Sequence, residues 1–321
     1  MRHSRVLVIG GSGFIGSRVV AELVARGKRV LVPSRYRMGA RHLLSLPTVE
    51  VVEADVHDDT VLAGLVGRAD AVINLVGQLH DRRGKPWGPG FEAAHVRLPA
   101  RIAAACLAAG VDRLVHVSAL GVVEGGETSA PSMYLRSKAA GEQAVRTSGL
   151  KGWTILRPSV VYGSEDRFLN LFASLQRWLP VIIVGRADAK FQPIHVSDVA
   201  RALANALDEP DTIGKTYELA GPDVLSLREL IKLSGRLVDA DRPVLGLNEI
   251  LGPLQARALE CLPGRKLMSR DNYDSMAVDN VASGPVAPEL GVEPMAIAAL
   301  VARWGTERNA RISDARTRAN R

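Results

Sequence analysis

The sequence has few of the features that mark a secreted, metal-binding or membrane-spanning chain. It contains two cysteines, Cys106 and Cys261, which lie far apart and follow no metal-ligand spacing. We therefore expect no disulfide framework, no metal and a reducing compartment such as the cytoplasm. No apolar run is long enough to span a bilayer, and a strand-like segment stands at the start of the chain in place of a signal peptide.

The composition is that of a folded chain with a basic end. Of the 321 residues 47% are hydrophobic, which supplies a sizeable core and excludes disorder throughout. Part of the net charge of +7 lies in residues 305–321, which carry five arginines and one large apolar residue, Ile312. We predict a disordered tail there, and a solvated tail is favoured over contact with anionic lipid or nucleic acid.

A glycine-rich stretch near the start is the strongest feature that is present. Residues 5–9 are apolar and predict a buried strand, and the apolar period of Phe14–Ala25 predicts a helix. Between and within these segments lie Gly10, Gly11, Gly13 and Gly16. Glycines in this setting allow a tight turn, close approach of the backbone to a pyrophosphate, and packing of helix on strand. The phosphates would meet N–H groups at the helix N-terminus, near Phe14 and Ile15.

Further strand-like and helix-like segments alternate along the chain. Predicted strands cover Arg29–Ser34, Val49–Ala54, Ala71–Val76, Arg113–Ser118 and Trp153–Leu156. Predicted helices cover Thr60–Gly67, Phe91–Ala109, Met133–Ser148 and Phe168–Leu179. This alternation predicts an α/β fold with a doubly wound parallel sheet of the Rossmann type. The dinucleotide-binding domain would cover residues 1–160, with elements from 190–220 returning to it, and 161–304 would include a small, mostly helical C-terminal lobe.

The end of the second predicted strand bears on the choice of cofactor. An NAD-specific site usually has an acidic residue there, which bonds the ribose 2′-hydroxyl. This chain has Ser34 and Arg35 instead, and both can bind a 2′-phosphate. We therefore predict NADP(H) in preference to NAD(H), with an Arg35 that merely faces solvent as the alternative. Asp55, followed by Val56, could reach the adenine or could equally make a turn.

Tyr134 and Lys138 form the candidate catalytic pair. They lie four residues apart on a predicted helix and therefore share a face. A lysine ammonium beside a phenol lowers the pKa of the phenol, which can then pass a proton to a carbonyl that receives a hydride. A tyrosine and a lysine at this spacing often occur by chance. Their position downstream of the glycine motif and the fifth predicted strand makes them a more specific indication of a catalytic pair.

The motifs, taken in order, resemble those of the extended short-chain dehydrogenase/reductase superfamily. They are Gly10–Gly16, Asp55, Val117–Ala119, Tyr134 with Lys138, Arg157–Gly163 and Pro193–Val199, which together span about residues 5–222. The stretches His116–Leu120, Tyr134–Glu142 and Gly163–Asn170 look like the nucleotide-binding accessory subunit of respiratory complex I and its bacterial homologues. That resemblance implies NADPH held as a structural cofactor with little turnover, and contact with complex I or the inner face of the membrane.

The resemblance also implies which further residues meet the nucleotide. These are Val76, Gly77, Val117, Pro158, Val160 and Val161. Lys138 would bond the nicotinamide ribose in addition to any catalytic role. Downstream, Asp166 is interpreted either as a helix cap or as part of a polar pocket, and His195 is interpreted as structural rather than catalytic.

One departure from the superfamily pattern concerns the substrate carbonyl. Active members keep a Ser or Thr just after the fifth strand, whereas here Ser118 comes early and Ala119 or Leu120 stands at the expected place. Ser129 or Ser132 could reach in from the loop instead. We therefore keep Ser118 with Tyr134 and Lys138 as candidate catalytic residues.

Two functions remain open at this point. One is an accessory protein with a structural NADPH, and the other is a working NAD(P)-dependent reductase, dehydrogenase or sugar-nucleotide epimerase/dehydratase. Ser226–Asp239 predicts an amphipathic helix with a capping box. The more apolar segment Leu245–Leu262, followed by Arg265, Lys266 and Arg270, predicts either a core or lid helix or a helix that lies on a membrane or partner.

Overall fold

Seven strands pair in parallel at the centre of the molecule, for which a computed structural model describes residues 3–261 and 268–297. The strands of the central sheet and of the three smaller two-stranded sheets are, within these residues, β1 Arg5–Ile9, β2 Arg29–Ser34, β3 Val49–Glu53, β4 Ala71–Asn74, β5 Arg113–Val117, β6 Gly152–Pro158, β7 Val161–Tyr162, β8 Ile182–Gly185, β9 Lys190–Phe191, β10 Ile194–His195, β11 Lys215–Leu219, β12 Leu225–Ser226 and β13 Val244–Leu247. The central sheet has the order β11-β6-β5-β4-β1-β2-β3. The order reverses between β1 and β4, and ligands of such sheets bind at the crevice beyond that point.

Helices cover both faces of this sheet. They are α1 Phe14–Ala25, α2 Asp59–Val66, α3 Pro89–Phe91, α4 Leu98–Ala109, α5 Met133–Arg146, α6 Phe168–Trp178, α7 Val196–Asp208, α8 Leu227–Arg236, α9 Leu251–Glu260 and α10 Arg270–Ser275. One apolar core joins α1 and α7 to the sheet, and a second joins α2, α4 and α5 to the opposite face. The predicted doubly wound α/β fold is therefore confirmed.

The segment predicted as one helix over Phe91–Ala109 is not a continuous α-helix. A π-helical stretch, Glu92–Arg97, separates α3 from α4. Pro99 explains the widening, because it has no N–H to donate to the carbonyl of His95 and its ring crowds that carbonyl. Gly141 of α5 packs against the same carbonyl, where a Cβ would overlap the oxygen. Helix α4 ends as predicted at Gly110, which has a φ of +68°.

A second group of elements packs beside the sheet around its own apolar core. Helices α6 and α8 and the parallel pair β8–β13 contribute most of that core. The capping box predicted at Ser226 and Glu229 is present at the start of α8. The prediction of a helix over Leu245–Leu262 is wrong in its first part, since Val244–Leu247 pairs with β8 and α9 begins at Leu251, where Asn248 accepts hydrogen bonds from the first turn. Leu262, Arg265 and Lys266 lie outside the described residues.

Helix α9 is a surface helix. It buries Gly252 and Ala256, whereas Leu251 and Leu254 are about half exposed or more. Exposed Ile250 adjoins it, and Ile183 of β8 and Leu245 of β13 are exposed at paired positions. We call these five side chains the apolar surface. Among the described residues no helix is long and apolar enough to cross a bilayer, and the predicted tail 305–321 lies outside them.

Candidate functional site

The phosphate turn, residues 10–16, lies between β1 and α1 at the reversal point of the sheet. Gly10 has a φ of +85°, a conformation that favours glycine. A Cβ at Gly16 would lie 2.6 Å from the Cα of Gly11 and closer still to the carbonyl oxygen of Gly10. Helix α1 begins without a side-chain cap and has no acidic residue in its first turn. Its N–H groups and positive dipole end therefore suit an anion.

The expected adenosine end of the site lies at the ends of β2 and β3. Ser34 is half-buried and donates its hydroxyl to the carbonyl of Tyr36 at 2.9 Å. Arg35 is exposed and makes no hydrogen bond or ion pair within the described part of the chain. One oxygen of Asp55 accepts from the N–H of His57 at 2.9 Å, so its turn role is present. Glu53 is a carboxylate that the sequence reasoning did not consider, and it accepts from the N–H of Arg37 at 3.1 Å.

Lys138 lies beneath the ends of β4 and β5 and is 4% exposed. Its ammonium donates to the carbonyl of Val117 at 3.1 Å. A Cβ at Gly77 would come within 3.5 Å of the same nitrogen, so the turn after β4 passes directly over it. Burial lowers the pKa of Lys138 to about 8, although the charge of Glu142 acts in the opposite direction. The structure thus brings Val117, Gly77 and Lys138 together.

Tyr134 is packed among aromatic rings one helical turn before Lys138. Its ring meets His95 edge-on with centroids 5.5 Å apart and Phe91 at 6.1 Å. Burial, followed by the nearby charge of Asp271, raises the pKa of Tyr134 to about 12. The direction is opposite to the expected effect of Lys138, because the loss of solvent and the carboxylate of Asp271 both disfavour the phenolate. The phenol is therefore protonated at neutral pH and can act as a proton donor.

The segment after β5 has an apolar lining. Ala119 and Leu120 are buried in the places where a substrate-polarising hydroxyl was expected. Ser118 is also buried, and its hydroxyl has no hydrogen-bond partner among the described residues. Ser132 is engaged as the cap of α5, where it accepts from Leu135 at 3.2 Å. Ser129 is exposed. An unpartnered buried hydroxyl is costly, and a nucleotide bound against Ser118 would satisfy it.

The loop after β6 carries the residues expected near the nicotinamide. Pro158 ends β6 and Val161 begins β7, so Val160 lies between two paired segments. The N–H of Val160 donates to the side-chain oxygen of Asn280 at 3.1 Å, and its carbonyl accepts from Ile194 at 3.0 Å. The loop is therefore fixed on both sides.

His95 is a site residue that the sequence reasoning did not single out. Its Nε2 accepts the N–H of Gln78 at 2.9 Å, and its Nδ1 lies 2.8 Å from the hydroxyl of Ser137. Because Ser137 donates to the carbonyl of Tyr134, the imidazole is neutral with its proton on Nδ1. Burial and the charge of Lys138 lower the pKa of His95 to about 2. The sequence did contain a signal for His95, which is a histidine in an otherwise apolar predicted helix, four residues before Pro99.

Two further polar residues have structural roles. Asp166 is buried and lies one residue before Arg167, the N-cap residue of α6. Its carboxylate accepts from the N–H of Leu169 at 2.6 Å in the first turn of that helix, which favours the capping interpretation. His195 accepts from the N–H of Ser197 at the start of α7, and its ring lies 5.3 Å from that of Tyr162. Within residues 3–261 and 268–297, no group of three or more His, Cys, Asp or Glu side chains could hold a metal ion.

This geometry agrees with the comparisons with known proteins. The NAD dependent epimerase/dehydratase family matches residues 6–220, from β1 to just beyond β11. The chain belongs to this family. The match confirms the predicted resemblance to extended short-chain dehydrogenases/reductases, a family that binds nicotinamide dinucleotides.

Individual relatives of this epimerase/dehydratase-family chain point to a respiratory subunit. It is 34% identical over 296 residues to NADH dehydrogenase (ubiquinone) 1 alpha subcomplex subunit 9, mitochondrial, of Rattus norvegicus, covering 89% of this chain and 76% of that protein. The protein of the same name from Arabidopsis thaliana is 37% identical over 235 residues, which are 70% of this chain and 56% of that one. The predicted similarity to the complex I accessory subunit is thus confirmed as homology.

Solved structures share the fold at lower identity. The structure of MoeE5 in complex with UDP-glucose and NAD superposes with a TM-score of 0.71 at 22% identity, covering 95% of this chain and 99% of that chain. At this identity the likeness concerns the fold alone.

Proposed function

We propose that this protein holds NADP(H), in preference to NAD(H), as a structural cofactor and serves as an accessory protein of a complex I-type assembly. The observation that carries the proposal is the contrast between the two halves of the site. The phosphate turn is complete and uncapped, whereas buried Ala119 and Leu120 offer no hydroxyl where a substrate carbonyl would need one. A site that binds the nucleotide and lacks this donor suits retention of the cofactor better than turnover.

The preference for NADP(H) is supported by the end of β2. The guanidinium of Arg35 is exposed and makes no bond within the described residues, so nothing there competes with a 2′-phosphate. The hydroxyl of Ser34, the preceding residue, donates to the carbonyl of Tyr36, and it would have to turn from that carbonyl to donate to a 2′-phosphate. An arginine can bind a phosphate with two parallel hydrogen bonds, whereas it gains little from a ribose hydroxyl. The remaining contacts that we propose for the nucleotide are those predicted from the sequence: Gly10, Gly13, Phe14, Ile15, Gly16, Asp55, Val56, Val76, Gly77, Val117, Tyr134, Lys138, Pro158, Val160 and Val161.

The proposed partner surface is the apolar surface of the C-terminal lobe. Its members are continuous, because Ile183 and Leu245 are paired across two strands and Gln255 of α9 bonds the backbone of β8 on both sides of Val184. Exposed aliphatic side chains grouped in this way mark interaction sites on otherwise polar surfaces. We propose that this surface contacts the partner assembly or the membrane interface, which would place the protein in the cytoplasm, peripheral to the inner face of the membrane.

The nucleotide carried by the purified protein tests the main proposal. Release by heat or organic solvent at neutral pH, followed by chromatography, is expected to yield NADPH or NADP⁺ at close to one equivalent per chain. Absorbance at the nicotinamide band is then expected to stay constant when carbonyl or sugar-nucleotide compounds are added. Recovery of NAD(H) alone, or of no nucleotide together with no binding in titrations, would contradict the proposal.

An alternative function is an active reductase, dehydrogenase or sugar-nucleotide epimerase/dehydratase. The retained pair favours it, since Tyr134 and Lys138 occupy one face of a buried helix. A bound nicotinamide would supply or accept hydride. In the direction in which the substrate receives hydride, the protonated phenol of Tyr134 would give its proton to the substrate oxygen, and in the reverse direction the phenolate would take that proton back, while Lys138 would hold the ribose. Steady turnover of a defined substrate by the wild-type protein would favour this alternative.

A further inference from the structure

Asp271 in the C-terminal lobe bonds the helix that carries Tyr134. Its two carboxylate oxygens accept the N–H groups of Met133 at 2.7 Å and of Tyr134 at 3.0 Å. The residue is 8% exposed. The first N–H groups of a helix have no partner within the helix, and a buried carboxylate satisfies them and complements the helix dipole. Asp271 therefore fixes the first turn of α5 although it lies 137 residues beyond Tyr134 in the chain.

Asn280 makes an equivalent connection to the strand ends on the other side of the site. Its side-chain oxygen accepts from the hydroxyl of Ser159 at 2.5 Å and from the N–H of Val160 at 3.1 Å. Its side-chain nitrogen donates to the carbonyl of Leu120 at 3.2 Å. One amide thus joins the loops after β5 and β6, where the nicotinamide end of the site is expected. Its backbone is also bonded, to Lys190 and Gln192.

Two further contacts complete the connection. Asn272 donates to the carbonyl of Leu79 in the loop after β4 at 3.4 Å, and Ser275 donates to Ser132 before α5 at 2.8 Å. Residues 268–282, which we call the C-terminal segment, therefore touch the loops after β4, β5 and β6 as well as the start of α5. The segment lies outside residues 6–220, where the family match ends.

We propose that Asp271 and Asn280 are positioning residues of the nucleotide site, so that nucleotide binding and docking of the C-terminal segment are thermodynamically coupled. The coupling follows because both side chains fix the backbone that the nucleotide contacts, and a coupling free energy acts equally in both directions. The inference rests on the proposed binding of NADP(H). The inference adds that the C-terminal segment, which lies outside the family match, is part of the site. The affinity of a partner for the C-terminal lobe would then depend on whether the nucleotide is bound.

Hydrogen exchange of the full-length wild-type protein, with and without saturating NADPH, tests the coupling without any substitution. We expect peptides from residues 268–282 and from the first turn of α5 to exchange about tenfold more slowly with NADPH. The size-matched variants Asp271→Asn and Asn280→Asp are expected to lose most of this protection and to bind NADPH about tenfold more weakly. Each removes one hydrogen-bonding partner and keeps the shape of the side chain.

Two neighbouring carboxylates provide matched controls. Asp274 lies on the same short helix and pairs with Arg270, and exposed Asp279 precedes Asn280 and accepts from the N–H of Lys190. Asp274→Asn and Asp279→Asn are expected to keep both the protection and the affinity within about twofold. Wild-type protein that binds NADPH without slowing exchange in the segment would overturn the coupling, as would variants of Asp271 and Asn280 that lose stability but keep full protection. Wild-type protein that binds no nucleotide would instead overturn the proposed function, and the coupling with it.

Discussion

Gly13→Ala separates nucleotide binding from folding, because the structure predicts different effects of a methyl group on each. Gly13 has a φ of −79° and a ψ of 178°, which alanine adopts freely. A Cβ there would approach only the carbonyl oxygen of Gly10, at 3.3 Å. The stiffer unfolded chain adds about 0.4–1 kcal/mol to the free energy of unfolding, and the shift that the 3.3 Å contact with the Gly10 carbonyl requires subtracts from it, so the free protein should stay within about 1 kcal/mol of the wild type. The same methyl group would occupy the space into which the pyrophosphate must come.

The expected thermal shift can be worked out from linkage. NADPH at about 100 times its Kd stabilises the wild-type protein by about 2.7 kcal/mol, which raises the Tm by about 4 °C for a chain of 321 residues. If the methyl group weakens binding about 100-fold, the same NADPH concentration stabilises the variant by about 0.4 kcal/mol and the Tm rises by about 1 °C. Gly64→Ala is the matched control, since a Cβ at Gly64 of α2 meets no atom within 4 Å. A Gly13→Ala protein with the full wild-type shift in scanning fluorimetry would refute the assignment of the phosphate turn.

Three further predictions concern single side chains of the site. Arg35→Asp is expected to weaken NADP(H) binding by about 2 kcal/mol and NAD(H) binding much less, because a charge-assisted contact becomes a repulsion; equal losses in paired titrations would show that Arg35 does not read the 2′-phosphate. The pKa values of His95 and His116 are lowered from 6.5 to about 2 and about 3, mainly by burial. Below pH 6.5 the unfolded chain therefore binds more protons than the folded chain, so the free energy of unfolding decreases as the pH is lowered. Urea denaturation from about pH 7 to pH 4 should show this slope and a shallower one in His95→Gln, and identical slopes would contradict the neutral imidazole. If the cofactor is structural, Lys138→Met lowers the Tm of the NADPH-bound protein, whereas Tyr134→Phe leaves NADPH affinity nearly intact; wild-type turnover that drops about 100-fold in Tyr134→Phe would favour the reductase instead.

Hydrophobic periodicity and turn residues predicted most strands and helices of the central sheet, because these elements depend on residues close to one another in the chain. The bounds of β1, α1 and β2 agree with the prediction at both ends, since each segment is bounded by glycines or by a change of hydrophobic period. The failure over Leu245–Leu262 lies where distant residues decide the structure, whereas the π-helical stretch Glu92–Arg97 has a local cause in Pro99. The sequence predicts Leu245 to be part of an apolar helix, but its backbone pairs with β8, which lies about 60 residues earlier in the chain.

The site divides along the same line. Gly13, Tyr134 and Lys138 were predictable because their spacing alone places them on one turn and one helix face. Asp271 and Asn280 were not predictable, because a carboxylate or amide in a polar stretch has no periodicity and gains its meaning only from backbone groups more than 100 residues away. His95 was predictable only in part. Pro99 indicates a disturbed helix, but it does not indicate that His95 bonds Gln78 and Ser137.

The electrostatics around Tyr134 bear on the choice between the two functions. An enzyme that oxidises an alcohol needs its tyrosine as a phenolate, and a nearby cation without a nearby anion favours that form. Here burial, followed by the charge of Asp271, raises the pKa of the phenol, while burial lowers the pKa of Lys138 to about 8, at which the ammonium is still mostly charged at neutral pH. Asp271 is also the residue that satisfies the first N–H groups of α5, so the group that fixes the helix is the group that disfavours the phenolate. If oxidation were the task, replacing Asp271 by Asn would be expected to increase the rate. In a protein that only holds its cofactor, the same change weakens the site and creates no turnover, and measuring substrate-dependent NADP⁺ reduction in Asp271→Asn distinguishes the two.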